Sequence, residues 1–263
     1  MAVSLATVRM TFMSAIARLR DPASEFIDSM PARYAQRFDL SDAREHSAIV
    51  GRRAGAPAHV ELWQRLSKGG AVMCVVADDR PGLLSFISAS LFAHVLDVVG
   101  AQVFTRRLPS GPEAVDLFWL RRTRGGPIVD DDAREVANVL GSLITGELTI
   151  EALAGRPRSA AKPRASSRLA TRVAFGEDPR AGYSLLTVET YDRPGLLFAI
   201  TRALADARVQ IVASEATTRD GAVVDTFTLS ELDGSPIRAD HMGLLRIAVL
   251  RAIDAVVRDD GSV

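Results

Sequence analysis

The stretch Asp79-Arg80-Pro81-Gly82-Leu83-Leu84 recurs unchanged as Asp192-Arg193-Pro194-Gly195-Leu196-Leu197. The match runs on at the same offset through Ile87 with Ile200, Leu91 with Leu204, Val99 with Val212, Thr105 with Thr218 and Arg106 with Arg219. The first copy then carries Pro109-Ser110-Gly111-Pro112 where the second has Asp220-Gly221, and the register resumes at Val115-Asp116-Leu117-Phe118 against Val224-Asp225-Thr226-Phe227. An insertion confined to turn residues is the kind a hairpin tip tolerates. The chain reads as one fold written twice.

Periodicity gives both copies the same order of elements. Residues 72–77 and 185–191 are β-rich runs that stop at the Asp-Arg-Pro-Gly turn. The segment after each turn has helical spacing, with Leu83, Leu84, Ile87, Leu91 and Val95 in one copy and Leu196, Leu197, Ile200 and Leu204 in the other. Residues 98–106 with 113–122, and 209–219 with 222–231, read as hairpins joined by glycine-containing turns. A second helix closes each copy. The first opens on Asp130-Asp131-Asp132, where carboxylates suit a helix N-terminus, and places Val136, Val139, Leu140 and Leu143 on one face. The second carries Leu244, Leu245, Ile247, Val249, Leu250, Ile253 and Val257.

A β-α-β-β-α unit lacks the fourth strand of a ferredoxin-like sheet. Residues 59–66, with Val60, Leu62 and Trp63 as apolar positions, and residues 172–175 stand just ahead of the two copies. The expected sheets are therefore permuted, each preceding strand lying beside the strand that ends at the turn. The expected organisation is a helical N-terminal segment over 1–58, a first domain over 59–154, a linker over 155–171 and a second domain over 172–263. The fold class is α+β, two ferredoxin-like domains with antiparallel sheets and two helices on one face of each.

The N-terminal segment reads as an amphipathic helix over 3–20, with Pro31 suited to a helix's first turn and Asp39, Ser41 or Asp42 near another helix start. Residues 155–172 hold six basic and no acidic side chains among Pro and Ser, which reads as a mobile linker. It has no aromatic side chain to stack on a base, so nucleic acid is not an expected partner.

The 263 residues carry 32 Lys plus Arg against 32 Asp plus Glu, a formal charge of zero that draws the chain to neither nucleic acid nor an anionic membrane. Apolar residues at 48% exclude a disordered chain, and charged residues at 24% exclude a multi-span membrane protein. No apolar run reaches the roughly 18 residues a membrane helix needs. The single cysteine, Cys74, sits in an apolar run, which excludes an intrachain disulfide and fits a reducing, cytoplasmic setting.

Chemistry concentrates at the repeated turn. A strand ends and a helix begins there, so backbone amides at Gly82–Leu84 and at 195–197 are expected to face outward at the positive end of a helix dipole. Pro81 and Pro194 set the backbone dihedral, and Gly82 and Gly195 remove the Cβ that would keep a ligand from the backbone. Asp79 and Asp192 add a carboxylate to those donors, a combination that suits a zwitterion such as an amino acid. The competing reading is that both aspartates only cap their helices, worth about 1 kcal/mol each.

These turns, set in β-α-β-β-α units, resemble ACT domains, small-molecule-binding regulatory modules of amino-acid metabolism. The tandem pair more closely resembles the C-terminal part of the bacterial protein-PII uridylyltransferase/uridylyl-removing enzymes. That closer resemblance is carried by the two turns, by Ala101-Gln102-Val103-Phe104-Thr105, by the two third-strand runs, and more weakly by residues 26–46 with Met30-Pro31-Ala32-Arg33-Tyr34. It implies an amino-acid effector, glutamine first, lying between the turn of one domain and the second strand of its neighbour. The implied ligand-binding residues are Asp79, Arg80, Pro81, Gly82, Leu83 and Leu84 with Asp192, Arg193, Pro194, Gly195, Leu196 and Leu197. The second strands add Val98, Val99, Gly100 and Ala101, and Ile211, Val212, Ala213 and Ser214. Ser214-Glu215-Ala216 departs from the pattern of Ala101-Gln102-Val103, so the two sites need not be equivalent.

The catalytic signatures of those enzymes are not found. Asp130-Asp131-Asp132 lacks the Gly-Ser turn of a nucleotidyltransferase and reads as a helix start. His46, His59, His94 and His241 are scattered, and none precedes an Asp as a His-Asp phosphohydrolase requires. His94 is expected on a packed helix and His46 on an exposed one. No catalytic residue, metal or cofactor is expected. The expected partners are a small amino acid and a protein, a homodimer partner included.

Overall fold

A computed structural model of the chain describes residues 21–154, 170–178, 182–219 and 221–260. The expected helix over 3–20 and nearly all of the basic linker lie outside the described residues. The elements run α1 (Pro22–Ser29), α2 (Leu40–Arg52), β1 (Ala58–Arg65), β2 (Ala71–Asp78), α3 (Leu83–Ala93), β3 (Leu96–Val103), β4 (Thr105–Leu108), β5 (Gly111–Arg122), α4 (Asp130–Thr145), α5 (Ile150–Ala154), β6 (Arg172–Asp178), β7 (Tyr183–Tyr191), α6 (Leu196–Asp206), β8 (Val209–Arg219), β9 (Ala222–Glu231) and α7 (Ala239–Asp260). This is the repeated β-β-α-β-β-α order, each unit led by the extra strand, except that the strand expected over 98–106 breaks at Phe104 into β3 and β4 and that α5 is a short helix the periodicity did not suggest.

The strands join into one antiparallel sheet in the order β1-β2-β5-β3-β8-β9-β7-β6, with β4 paired to β5. β1 lies beside β2 and β6 beside β7, the permuted placement expected from the sequence. The two units meet edge to edge where β3 pairs with β8, Gly100 opposite Thr217, Ala101 opposite Ala216, Gln102 opposite Glu215 and Val103 opposite Ser214. Gln102 thus faces its own counterpart in the repeat, which places a pseudo-twofold axis through that pair. Over the sheet, α3 packs on α6 across the same axis, and Ser88 Oγ and Thr201 Oγ1, again counterparts, share a 2.8 Å hydrogen bond. A single apolar core runs beneath the helices of both units, from Met73, Ile87 and Phe118 to Leu186, Ile200 and Phe227.

The opposite face of the first unit is covered by α1, α2 and the turn between them. Phe26, Met30, Tyr34, Phe38 and Ile49 bury Val72, Cys74, Val76, Phe104, Val115 and Leu117. Central strand β2 is consequently apolar and buried on both faces, whereas β7 alternates between buried and half-buried positions. Asp39 caps α2 through the amides of Ser41 and Asp42, and Asp42 returns a bond to the Asp39 amide.

Four expectations are corrected. No helix starts at Pro31, which opens a run of turns; Pro22 fills that role in α1 behind the Asp21 cap. Val95 leaves the helical face and lies exposed at φ 59°, matched by Arg208 at φ 60° in the second copy. On α7 the core takes Leu245, Val249 and Ile253 while Leu244 and Ile247 point to solvent, because one helix face cannot hold residues at every step. His46 is fully buried rather than exposed, stacked edge-on against Trp63 and Phe38 and joined by Nδ1 to the Tyr34 hydroxyl at 2.6 Å.

Burial holds the His46 imidazole neutral, with its pKa pushed down to about 4. Its Nε2 has no hydrogen-bond partner among the described residues, so the Tyr34 hydroxyl is what keeps the ring from being wholly unsatisfied. Tyr34→Phe is expected to cost about 1–3 kcal/mol, the penalty for orphaning a buried polar group, measured by urea unfolding at neutral pH. A change within about 0.5 kcal/mol would contradict that role.

Candidate ligand sites

Each Arg-Pro-Gly-Leu segment folds as a type II turn. Gly82 at φ 82°, ψ −2° and Gly195 at φ 81°, ψ 3° take the left-handed position that such a turn requires. The Leu83 amide donates to the Arg80 carbonyl at 3.1 Å and the Leu196 amide to the Arg193 carbonyl at 3.2 Å. One of the three amides expected to face outward at each turn is therefore already used to close it.

Neither aspartate caps its helix: the N-cap positions are Gly82 and Gly195, without a side-chain capping bond. Asp79 instead accepts from the Thr105 hydroxyl at 2.6 Å. Burial pushes its carboxyl above the usual range, offset in part by Thr105 and the Arg80 amide. Asp192, 7% exposed, accepts from an Arg121 Nη of the other unit at 2.7 Å. Arg121 also holds Asp97, its cross-strand neighbour, through Nε at 2.8 Å.

Two small cavities flank the pseudo-twofold axis, each of about 20 Å³, room for a water or an ammonium group. The first lies between the Asp79 turn and the start of β8, where Val209, Gln210 and Ile211 complete it. The second lies between the Asp192 turn and the start of β3, where Leu96, Asp97 and Val98 complete it. Each turn is thus finished by a strand of the other unit, which the seam between β3 and β8 brings into place.

Of the turn residues, Asp79, Arg80, Gly82, Leu83 and Leu84 line the first cavity and Asp192, Arg193, Gly195, Leu196 and Leu197 the second. Pro81 lines a larger neighbouring groove. Of the eight second-strand residues predicted from the resemblance, only Val98 and Ile211 line these cavities. Val99 and Val212 fall at matching β-bulges, a device that bends a strand. Past the bulges, Gly100 and Ala101, and Ala213 and Ser214, continue along the second strands, with Gly100, Ala101 and Ser214 paired across the seam.

The sequence reading missed a second carboxyl at each cavity. Asp116 on β5 and Asp225 on β9 are 1% and 2% exposed. The signal was present, since an Asp repeated in the middle of an apolar strand must point into the sheet's core with Ala114 and Phe118, or with Val223 and Phe227. Asp116 Oδ1 accepts from the Phe104 amide at 3.1 Å. Burial and the neighbouring Asp79 push its carboxyl well up. Asp225 accepts from the Thr217 amide, while its Oδ1 has no hydrogen-bond partner among the described residues. Burial and the Asp192 charge push the Asp225 carboxyl up to about 7.

A carboxyl whose folded pKa lies above its unfolded value of ~3.9 takes up a proton on folding between the two, so its contribution is present at low pH and lost as pH rises toward about 7. Asp225→Asn keeps an acceptor for Thr217 and cannot ionise. Its melting temperature relative to the natural protein is expected to rise between about pH 5 and about pH 8. A difference that stays constant over that window would contradict the assignment.

No protein-family model matches the chain. Among curated proteins it is similar to the bifunctional uridylyltransferase/uridylyl-removing enzyme of several bacteria. It is 26% identical over 216 residues to that of Rhodospirillum rubrum, covering 81% of this chain and 23% of the enzyme. For Phenylobacterium zucineum the figures are 29% over 237 residues, 89% and 25%, and for Caulobacter vibrioides 26% over 241 residues, 89% and 25%. A crystal structure of an unknown protein from Galdieria sulphuraria shares 18% identity over 77% of this chain and 95% of that one, with a TM-score of 0.20, too low to relate the folds. The chain spans about a quarter of the length of the curated relatives it matches, and over most of its own length it resembles that part of a bifunctional uridylyltransferase/uridylyl-removing enzyme.

Proposed function

We propose that this chain is an amino-acid-responsive regulatory module, a tandem ACT pair that serves nitrogen or amino-acid metabolism without catalysing a reaction itself, with glutamine the first ligand to test. The observation that carries this reading is the placement of two related cavities at the junction of the units, each built from the turn of one and the second strand of the other. An effector there touches both units at once, so its binding energy depends on how they pack, which is the condition for an effector to shift a conformational equilibrium. Buried carboxyls offer acceptors to an ammonium, and the remaining amides of the turn offer donors to a carboxylate.

Two alternatives weigh differently. A structural pair serving only dimerisation predicts that substituting Asp79 or Asp192 costs at most a little stability and abolishes no binding; the helix-cap role that would explain the aspartates without a ligand is not the one they have. A regulatory part acting on a uridylyltransferase catalytic chain is favoured by the similarity to about a quarter of such enzymes, and it keeps the same effector site.

Thermal unfolding against the twenty amino acids tests the reading. A ligand at about 100 times its dissociation constant stabilises by roughly 2.7 kcal/mol, so a selective upward shift is expected, with glutamine the first candidate. The absence of a shift with every amino acid would contradict an amino-acid sensor.

A further inference from the structure

The two cavities are related by the repeat, yet the residues that complete them from across the seam differ in charge and size. Ahead of the bulge in the second strand, the first unit has Asp97 opposite Arg121 where the second unit has Gln210 opposite Ser230. Arg121 reaches across the seam and ion-pairs with Asp192. Ser230 carries no charge and is too short to do the same for Asp79, which has no ion-pair partner among the described residues. Gln210 instead lines the Asp79 cavity, and its Oε1 is buried without a hydrogen-bond partner among the described residues.

The plugs differ too. A Cβ added at Gly195 would lie 2.7 Å from the Phe92 ring, so the ring sits directly on the second turn. The counterpart of Phe92 in the repeat is Ala205, whose Cβ stands 3.8 Å from the same point at Gly82. Beside that opening lies a groove of about 580 Å³ that shares Gly82, Ala205 and Val209 with the Asp79 cavity and is walled further out by Phe86, Leu148 and Ile150. The first cavity therefore abuts space large enough for a ligand's body, and at the second turn the matching place against the glycine is filled by a phenyl ring.

We propose that the cavities are inequivalent: the Asp79 cavity admits one ammonium-bearing ligand per chain, its head at Asp79 and Gln210 and its side chain in the groove, whereas the Asp192 cavity is closed by the chain's own cation, Arg121, and its own plug, Phe92. This rests on the amino-acid reading of the cavities and adds which of them works. The second carboxylate then serves to hold the two units together, while the first, desolvated without a counter-charge, is left to meet the ligand's ammonium.

Two sets of variants of the full chain test this, the first without any ligand. Asp192→Asn is expected to lower the melting temperature by several degrees, because it strips Arg121 of a partner. Asp79→Asn is expected to leave it unchanged or raise it, since its charge has no cation to lose and Asn still accepts from Thr105. Equal losses from the two would overturn the inequivalence. The second set uses L-glutamine, or whichever of the twenty amino acids stabilises the natural protein most, in calorimetric titration. One ligand per chain is expected, abolished by Ala205→Phe, which copies the plug into the first cavity, and retained in Phe92→Ala. Two ligands per chain, or binding that survives Ala205→Phe, would overturn the assignment. Should no amino acid bind the natural protein, the sensor reading falls, and the ligand-free pair of variants still decides whether the sites are inequivalent.

Discussion

The antiparallel pairing of β3 with β8 is the constraint on which the rest of the structure depends. Four residue pairs, Gln102 with Glu215 among them, turn two small sheets into one and fix the pseudo-twofold axis. Because the axis is set there, each Asp-Arg-Pro-Gly turn comes to rest against the start of the other unit's second strand, and α3 is laid on α6. Both contacts bury apolar surface of both units in a common core, so separating the units would expose that core and the seam's backbone groups together. A ligand that bridges a turn and the opposite strand acts on the same junction.

Duplication supplied the symmetry, and point differences between the copies removed the equivalence. Arg121 against Ser230 and Phe92 against Ala205 are changes at matched positions, each altering what one cavity can hold without altering the strands and helices that frame it. The N-terminal helices break the symmetry a second time, by covering the first unit's outer sheet face. The turn between them also reaches the seam: the Arg33 guanidinium bonds the Val103 carbonyl and Arg37 pairs with Glu215.

Much of this was legible in the sequence because it is local. The six-residue repeat, the glycine that only a left-handed position explains and the alternating apolar runs specify turns, strands and helices without reference to distant residues. The seam was not legible, since Ala101-Gln102-Val103 and Ser214-Glu215-Ala216 carry no mark that they pair with each other. His46 misled because the aromatic cluster that buries it comes from residues 34, 38 and 63, although its spacing from Ala43 and Ile49 puts it on the helix's buried face. The covering of β2 on both faces could have been read from its unbroken apolar run against the alternation of β7. Asp116 and Asp225 could have been read as buried from their phase in the third strand.

Native-state hydrogen exchange along the seam tests the account most directly. If β3 and β8 form the centre of one continuous sheet, the amides of Gly100–Val103 and of residues 214–217 will be protected as strongly as those of the β2 and β5 ladder, opening only with global unfolding. Exchange at those amides as fast as at the sheet's outer strands would contradict a single sheet, and with it the placement of both cavities.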